Sequence, residues 1–373
     1  MLRDFPQLHL LVGRPAHIYS RVMATTAPFA APETAPSASL RPLAIARWLE
    51  AVAFLVVLIV LVGGITRLTE SGLSITHWSV VTGILPPLTE AAWIAEYELY
   101  QQTGEYKFES GPAGMDLDKF KFIYFWEWFH RILGRVIGLA FLLPMVWFWV
   151  RSMIPQGYKP RLIAMFALIC GQGALGWYMV NSGVGTDLTD VSHFRLSAHL
   201  LTALFLLGGL VWTARDLRNI EAGPSRLTLA SATIAGVLFI QLLLGAWVAG
   251  LNAGHAAYDW PLMNGKLIPD VSFSNGFFAT FTNDPFLLHW LHRWWAWVAV
   301  VALVVLARRV RATDRAASIA VHSAFGLMVI LGITTVLTEV ELWVAAAHQL
   351  TGALLVASVA WAMHSDGKLK VAA

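Results

Sequence analysis

Cysteine is nearly absent from this chain of 373 residues, with Cys170 standing alone. One thiol forms no intrachain disulfide, no CxxC redox pair and no cysteine zinc site. Charge is scarce as well. Only 13% of the residues are Asp, Glu, Lys or Arg and 57% are hydrophobic, against about 25% and 45–50% in soluble domains. So little charge cannot cover a water-facing surface, which excludes a soluble enzyme, and the hydrophobicity excludes disorder. The excess of positive charge is only +3, too small to argue for nucleic acid. A mean hydropathy of +0.62 leaves a protein embedded in a bilayer. The 17 Trp and 12 His are what remains to explain.

A membrane span needs about 20 mainly apolar residues. Eight stretches qualify: 44–64, 126–150, 161–181, 195–214, 227–249, 286–307, 316–337 and 342–363. Basic residues cluster before the first span (Arg41, Arg47), in alternate loops (Arg151, Lys159, Arg161; Arg215, Arg218, Arg226; Arg308, Arg309, Arg311, Arg315) and after the last (Lys368, Lys370). The opposite loops carry Asp187, Asp190, Glu339 and Glu341. The positive-inside rule then places both termini in the cytoplasm. Residues 1–40, rich in Ala and Pro, read as a disordered tail, with an organellar transit peptide as the alternative. In the outer segment 65–125, Thr89-Glu90 starts a helix whose Trp93, Ile94, Tyr97 and Tyr100 form an amphipathic face suited to the membrane interface. Most of the Trp excess is explained by aromatic belts at the headgroups.

The chain repeats itself. Shifted by 182 positions, Gly63, Gly72, Trp78, Gly83 and Pro87 meet Gly245, Gly254, Trp260, Gly265 and Pro269. A shift of 162 brings Trp128, His130 and Arg131 onto Trp290, His292 and Arg293, and a shift of 149 brings His199 onto His348. Spans four apart run in the same direction, so this is a parallel repeat about an axis along the membrane normal. The expected fold is an all-α integral membrane protein, its eight transmembrane helices forming two pseudo-symmetric four-helix bundles, 41–220 and 221–373.

His130, His199, His292 and His348 lie near the outward ends of their spans, one on the second and one on the fourth span of each half. Ionisable groups inside a span are functional candidates by default, although a lone histidine is as often a structural hydrogen-bonder. Matched pairs are the stronger signal. Zinc or a di-iron centre would want more sulfur or oxygen ligands. Two imidazoles on facing helices among aromatic and small residues suit a haem plane, with room expected beside Gly134, Gly138, Gly208 and Gly209. Arg131, Arg135, Arg195 and Arg293 are candidate propionate partners, or simple snorkellers. The halves differ in one respect: Glu127, three residues before His130, meets His289 in the repeat. The first half is therefore expected to do chemistry and the second to hold a permanent cofactor, unless Glu127 merely pairs with Arg131 one turn on. His9, His17, His77, His193, His255, His322 and His364 read as structural or solvated, and His289 stays open.

These residues also resemble a known family. The string Gly-Gly-Ile-Thr-Arg-Leu-Thr-Glu-Ser-Gly-Leu-Ser-Ile-Thr at 63–76, Pro86-Pro87, Lys-Phe-Ile-Tyr-Phe-Trp-Glu-Trp-Phe-His-Arg-Ile-Leu-Gly-Arg at 121–135, Gly-Gln-Gly-Ala-Leu-Gly-Trp-Tyr-Met-Val at 171–180 and the settings of His199, His292 and His348 are similar to those of the heme A synthases over roughly residues 45–363. The resemblance is to the branch without cysteines, of alphaproteobacteria and mitochondria. Some family members carry a cysteine pair in the first outer loop, absent here, and His77 stands where that branch is expected to have an acidic residue. The resemblance implies haem B on His292 and His348, and a haem O substrate site around His130 and His199, with Glu127 matching the family's essential carboxylate. The implied reaction oxidises a methyl of haem O to a formyl, giving the haem A of terminal cytochrome oxidases. It also implies the bacterial inner membrane or the mitochondrial one as location. Implied partners are membrane lipid, haem O synthase, cytochrome oxidase assembly factors and an electron-transfer partner. Two readings from other classes stay open: a dihaem cytochrome b that only passes electrons, and a repeat-built transporter, which predicts helices broken at mid-membrane.

Overall fold

The structure is a computed structural model that describes residues 40–78 and 82–369. The expected tail at 1–40 lies outside the described residues except for Leu40. Ten α-helices follow in chain order: α1 (Leu40–Leu68), α2 (Glu90–Tyr100), α3 (Leu117–Val150), α4 (Lys159–Val180), α5 (His193–Arg218), α6 (Leu229–Gly250), α7 (Phe277–Asn283), α8 (Pro285–Val310), α9 (Arg315–Leu337) and α10 (Leu342–Leu369). Eight of them are long and apolar enough to cross a membrane, and they coincide with the eight spans read from hydropathy. Their apolar residues run around the whole circumference, because one side meets protein and the other hydrocarbon. None of the eight is interrupted at mid-length.

Helix ends are set by local chemistry. Asp284 accepts a hydrogen bond from the Leu287 N–H at 2.8 Å and is followed by Pro285, so α8 starts where an N-cap and a proline at N1 favour it. Asp314 caps α9 through the Ala317 N–H at 3.0 Å. The largest departure from the sequence reading is in α3. It begins at Leu117, well before the apolar stretch that opens at residue 126, because Asp116 caps it at the Lys119 N–H (2.9 Å). That extra length has a use. Trp93 and Tyr97 of α2 pack on Phe120 and Tyr124 of the extension, with ring centres 5.0–6.4 Å apart. The aromatic side of α2 is thus turned to protein, while Ile94 stays exposed.

Packing places α1 at the centre. It contacts α3, α5 and α10, and α5 contacts α6 and α10. Of its most apolar stretch 56% is buried, against 11% for α4, which therefore faces lipid. Close approach of α10 to α1 puts Gln349 over Gly64, where its amide N–H donates to the Val60 carbonyl at 2.9 Å. The expected boundary between halves, 220/221, falls in a short 3-10 turn, Ile220–Ala222.

Away from the histidines, polar groups gather where α5, α6, α8, α9 and α10 end or begin. Asp216 is fully buried and accepts from His364 Nε2 (2.9 Å), Arg161 (2.6 Å) and the Ser225 N–H (2.9 Å). Asp366, also fully buried, accepts from Ser231, Thr228 and Arg309. His364 is thus a structural residue, as read. Removing one partner of a buried ion pair strands the others. Asp216→Ala is expected to destabilise the fold by about 3 kcal/mol, read as a lowered unfolding temperature of the purified protein in detergent.

Candidate active site

The structure brings the four repeat-matched histidines together in two pairs. His130 on α3 faces His199 on α5 with ring centres 6.5 Å apart and planes at 88°. They line a cavity of about 360 Å³ together with Glu127, Arg131, Arg135 and Gln172. His292 on α8 and His348 on α10 line a second cavity of about 420 Å³. Each imidazole lies against a glycine of the neighbouring helix. A Cβ on Gly63 would come 3.3 Å from His130, on Gly176 3.4 Å from His199, on Gly245 2.8 Å from His292 and on Gly332 3.1 Å from His348. The room expected beside Gly134, Gly138, Gly208 and Gly209 lies elsewhere: of these only Gly134 lines the cavity. The side chain of a helical residue is accommodated by the helix it faces, not by glycines further along its own.

The two arginines after the histidines act alike. Arg131 donates to the carbonyls of Ile75 (3.1 Å) and His77 (3.0 Å) and lies over the Trp78 ring at 5.0 Å. Arg293 donates to the carbonyls of Ala257 (3.0 Å), Asp259 (2.9 Å) and Leu262 (3.0 Å) and lies over Trp260 at 5.7 Å. Ala257, Asp259 and Trp260 are the partners of Ile75, His77 and Trp78 in the 182-residue repeat. Neither arginine snorkels; each pins the loop that roofs its cavity. Arg135 lines the first cavity. Arg195 instead donates to the Tyr178 carbonyl at 2.7 Å and covers the Tyr178 ring.

Glu127 is 3% exposed. Its Oε2 accepts from the Ser74 hydroxyl and the Ile75 N–H, both at 2.7 Å, and its Oε1 from Arg131 at 2.6 Å. The ion pair one turn along the helix therefore exists, and the same carboxylate lines the cavity. In the second half, His289 stands in its place, 3% exposed and accepting from Arg293 Nε at 3.0 Å. The other histidines hold structure: His193 contacts the Thr282 carbonyl, His255 the Tyr258 hydroxyl and His322 the Ser318 carbonyl. His77 is exposed, with Nδ1 3.8 Å from Glu96. His9 and His17 lie outside the described residues.

Four lining groups escaped the sequence reading. Glu70, Glu105 and Asp190 join Glu127 around the first cavity. Arg67, in the last turn of α1, bonds Asp190 (3.3 Å) and the Asn252 side chain (2.8 Å), joining that helix end to the segments that follow α4 and α6. Glu105 was illegible because its burial arises from a single π-helical turn, Tyr106–Ser110, folded back on α2. Burial, then the carboxylates of Glu70, Glu127 and Asp190, push Glu105 up to about 8, against the pull of a 2.8 Å hydrogen bond from Tyr100. Glu70 and Asp190 are raised mainly by burial.

The His130 and His199 imidazoles have the spacing that a haem iron requires. Two imidazoles on opposite sides of one metal, bonded at about 2 Å, hold their ring centres about 6 to 6.5 Å apart. The observed 6.5 Å meets that requirement. The glycine contacts hold each ring upright against a neighbouring backbone, and the cavity walls are mostly apolar, as a macrocycle needs. No three His, Cys, Asp or Glu side chains among the described residues converge as a metal cluster.

The sequence pattern of the family described as cytochrome oxidase assembly protein matches residues 46–360. The chain is 74% identical over 329 residues to a protein of Erythrobacter litoralis named heme A synthase, covering 87% of this chain and 98% of that one. Proteins of the same name from Novosphingobium aromaticivorans (54% identity, covering 89% and 97%) and Bradyrhizobium diazoefficiens (43%, covering 85% and 89%) are also similar. The chain belongs to the heme A synthase family. The matched span covers all eight membrane helices and both cavities. Membership gives the chain an enzyme's role, of oxidoreductase type, on a haem in a multi-pass membrane protein.

The raised pKa of Glu105 makes a stability prediction. The unfolded carboxyl ionises near 4.5 and the folded one near 8, so the folded state binds more protons between these values. Its contribution is full below the lower value and is lost as pH rises toward the higher. Thermal unfolding in detergent between about pH 5 and pH 8.5 is expected to fall less steeply for Glu105→Gln than for the unchanged protein.

Proposed function

We propose that this protein oxidises a methyl group of haem O to a formyl and so makes haem A. In this reading haem O binds in the first cavity between His130 and His199, and haem B is a resident cofactor between His292 and His348. The observation that carries it is the asymmetry of two otherwise matched cavities. Both offer facing imidazoles and a loop pinned by an arginine. Only the first places a buried carboxylate three residues from an imidazole ligand, where the second has His289.

Haem B, which His292 and His348 would hold, would supply electron transfer. The remaining steps belong to the chain. Glu127, held by Ser74, the Ile75 N–H and Arg131, keeps a fixed negative charge beside the methyl that is oxidised. That charge stabilises positive character as the methyl gives up electrons, two at each of two oxidations, to the electron-transfer partner, and the carboxylate takes a proton from the water whose oxygen adds to the carbon. Arg131 and Arg293 hold the roofing loops closed over mostly apolar walls and limit access of bulk water. Arg135, on the cavity wall, is placed for a propionate. Basic loops then face the cytoplasm with both termini, and the cavities open toward the outer leaflet of the bacterial inner membrane. The halves 41–220 and 221–373 act as substrate and cofactor bundles. Haem O synthase, oxidase assembly factors and an electron-transfer partner complete the setting.

A dihaem cytochrome b would need no Glu127 and would hold the same haem on both sides. Extraction and chromatography of the bound haem separates the two: haem O or A beside haem B supports the synthase, and haem B alone supports the cytochrome. Glu127→Gln is expected to lower haem A formation by about 10²–10³-fold with haem B retained; a normal rate would remove Glu127 from the chemistry. Gly245→Ala brings a methyl 2.8 Å from His292 and is expected to empty the second cavity of haem B, while Gly236→Ala, which meets nothing within 4 Å, leaves it loaded.

A further inference from the structure

Two glutamines stand in otherwise apolar helices, and each serves a different histidine in the same way. On α6, Gln241 sits one turn before Gly245, the glycine that cradles His292, and its amide nitrogen lies 3.1 Å from His292 Nδ1 and 3.2 Å from the His292 carbonyl. On α4, Gln172 sits one turn before Gly176, the glycine that cradles His199. With its amide group turned to satisfy its neighbours, it lies 3.0 Å from His199 Nδ1 and 3.1 Å from the His199 carbonyl. The unit Gln-x-x-x-Gly thus builds a complete seat for an imidazole: a gap for the ring and an amide for its far nitrogen.

The other two histidines have the gap without the amide. One turn before Gly63, opposite His130, stands Ile59; one turn before Gly332, opposite His348, stands Met328. His348 Nδ1 is buried and receives no side-chain hydrogen bond. Each cavity therefore pairs one amide-supported imidazole with one facing an apolar side chain. The supported ligand is on the fourth spanning helix in the first half and on the second in the second half.

We propose that Gln172 and Gln241 are positioning residues that fix the orientation and the proton of His199 and His292, so that Nε2 is offered to the haem iron. When Nε2 binds iron, the imidazole proton sits on Nδ1 and needs an acceptor. A carboxamide turned to present its oxygen supplies one. Gln241 has that oxygen in reserve, since its Oε1 is buried without a partner. Such a partner raises the basicity of the ligand and stabilises oxidised iron, which lowers the reduction potential. The inference rests on the haem reading above, and the experiment keeps the two apart.

The test uses the full-length protein as purified in detergent, with optical redox titration and low-spin electron paramagnetic resonance. Gln241→Leu is expected to raise the potential of the haem on His292 and His348 and to weaken haem retention about 10–100-fold. Gln241→Glu, which keeps an acceptor and adds charge, is expected to lower the potential and restore retention. Met328→Gln, which gives His348 the amide it lacks, is expected to lower it as well and reads the effect even where the leucine variant fails to fold. Gln172→Leu is expected to shift the potential of this haem far less than Gln241→Leu does. Unchanged potentials and spectra in Gln241→Glu and Met328→Gln, or shifts of one sign for leucine and glutamate at 241, overturn the assignment. Unchanged protein without a bis-imidazole low-spin signal overturns the haem reading itself, whatever the glutamines do.

Discussion

The absence of a side chain at four places sets the geometry of both cavities. His130, His199, His292 and His348 each press on a glycine of a neighbouring helix, at distances a Cβ would foreclose or tighten. Helices in lipid gain little from hydrophobic burial against one another, so close approach over small residues is what holds them. Here the same approach also aims a ring. The imidazoles reach the cavities because the opposing glycine backbones leave room for the rings, and helices close round each pair.

On that shared frame the halves diverge through few substitutions. The arginine clamp on the roofing loop is the same in both, down to carbonyls 182 residues apart. What changes is the residue that shares the arginine, Glu127 in one half and His289 in the other. Around Glu127 the first cavity has gathered Glu70, Glu105 and Asp190. Burial first, and the neighbouring carboxylates after it, push Glu105 up to about 8, and Arg67, Arg131 and Arg135 line the same cavity.

Much of this was legible in the chain. Eight spans could be read because an apolar run long enough for a bilayer has few other uses. The histidine pairs could be read because two copies of one unit filter chance from design. What stayed hidden depended on contacts between segments far apart. The glycines that make room had to be found on the facing helix, so those nearest in sequence, such as Gly138 and Gly208, were the wrong ones. Glu105 carries no mark in the sequence, since its burial comes from the π-helical turn that follows it. Gln172 and Gln241 were visible as polar residues in apolar helices, but their spacing to glycine has meaning only once each histidine is known to face that helix.

The wall between the cavities has a consequence of its own. Val60, Arg67, Glu70, Leu200, Ala249 and Gln349 line both, so a single layer of side chains separates them. Across so thin a partition, a charge gained on one side is felt on the other more strongly than it would be through water. Two redox groups seated there would not titrate as independent sites; filling one with an electron would shift the potential of its neighbour, and each macroscopic midpoint would belong to the pair.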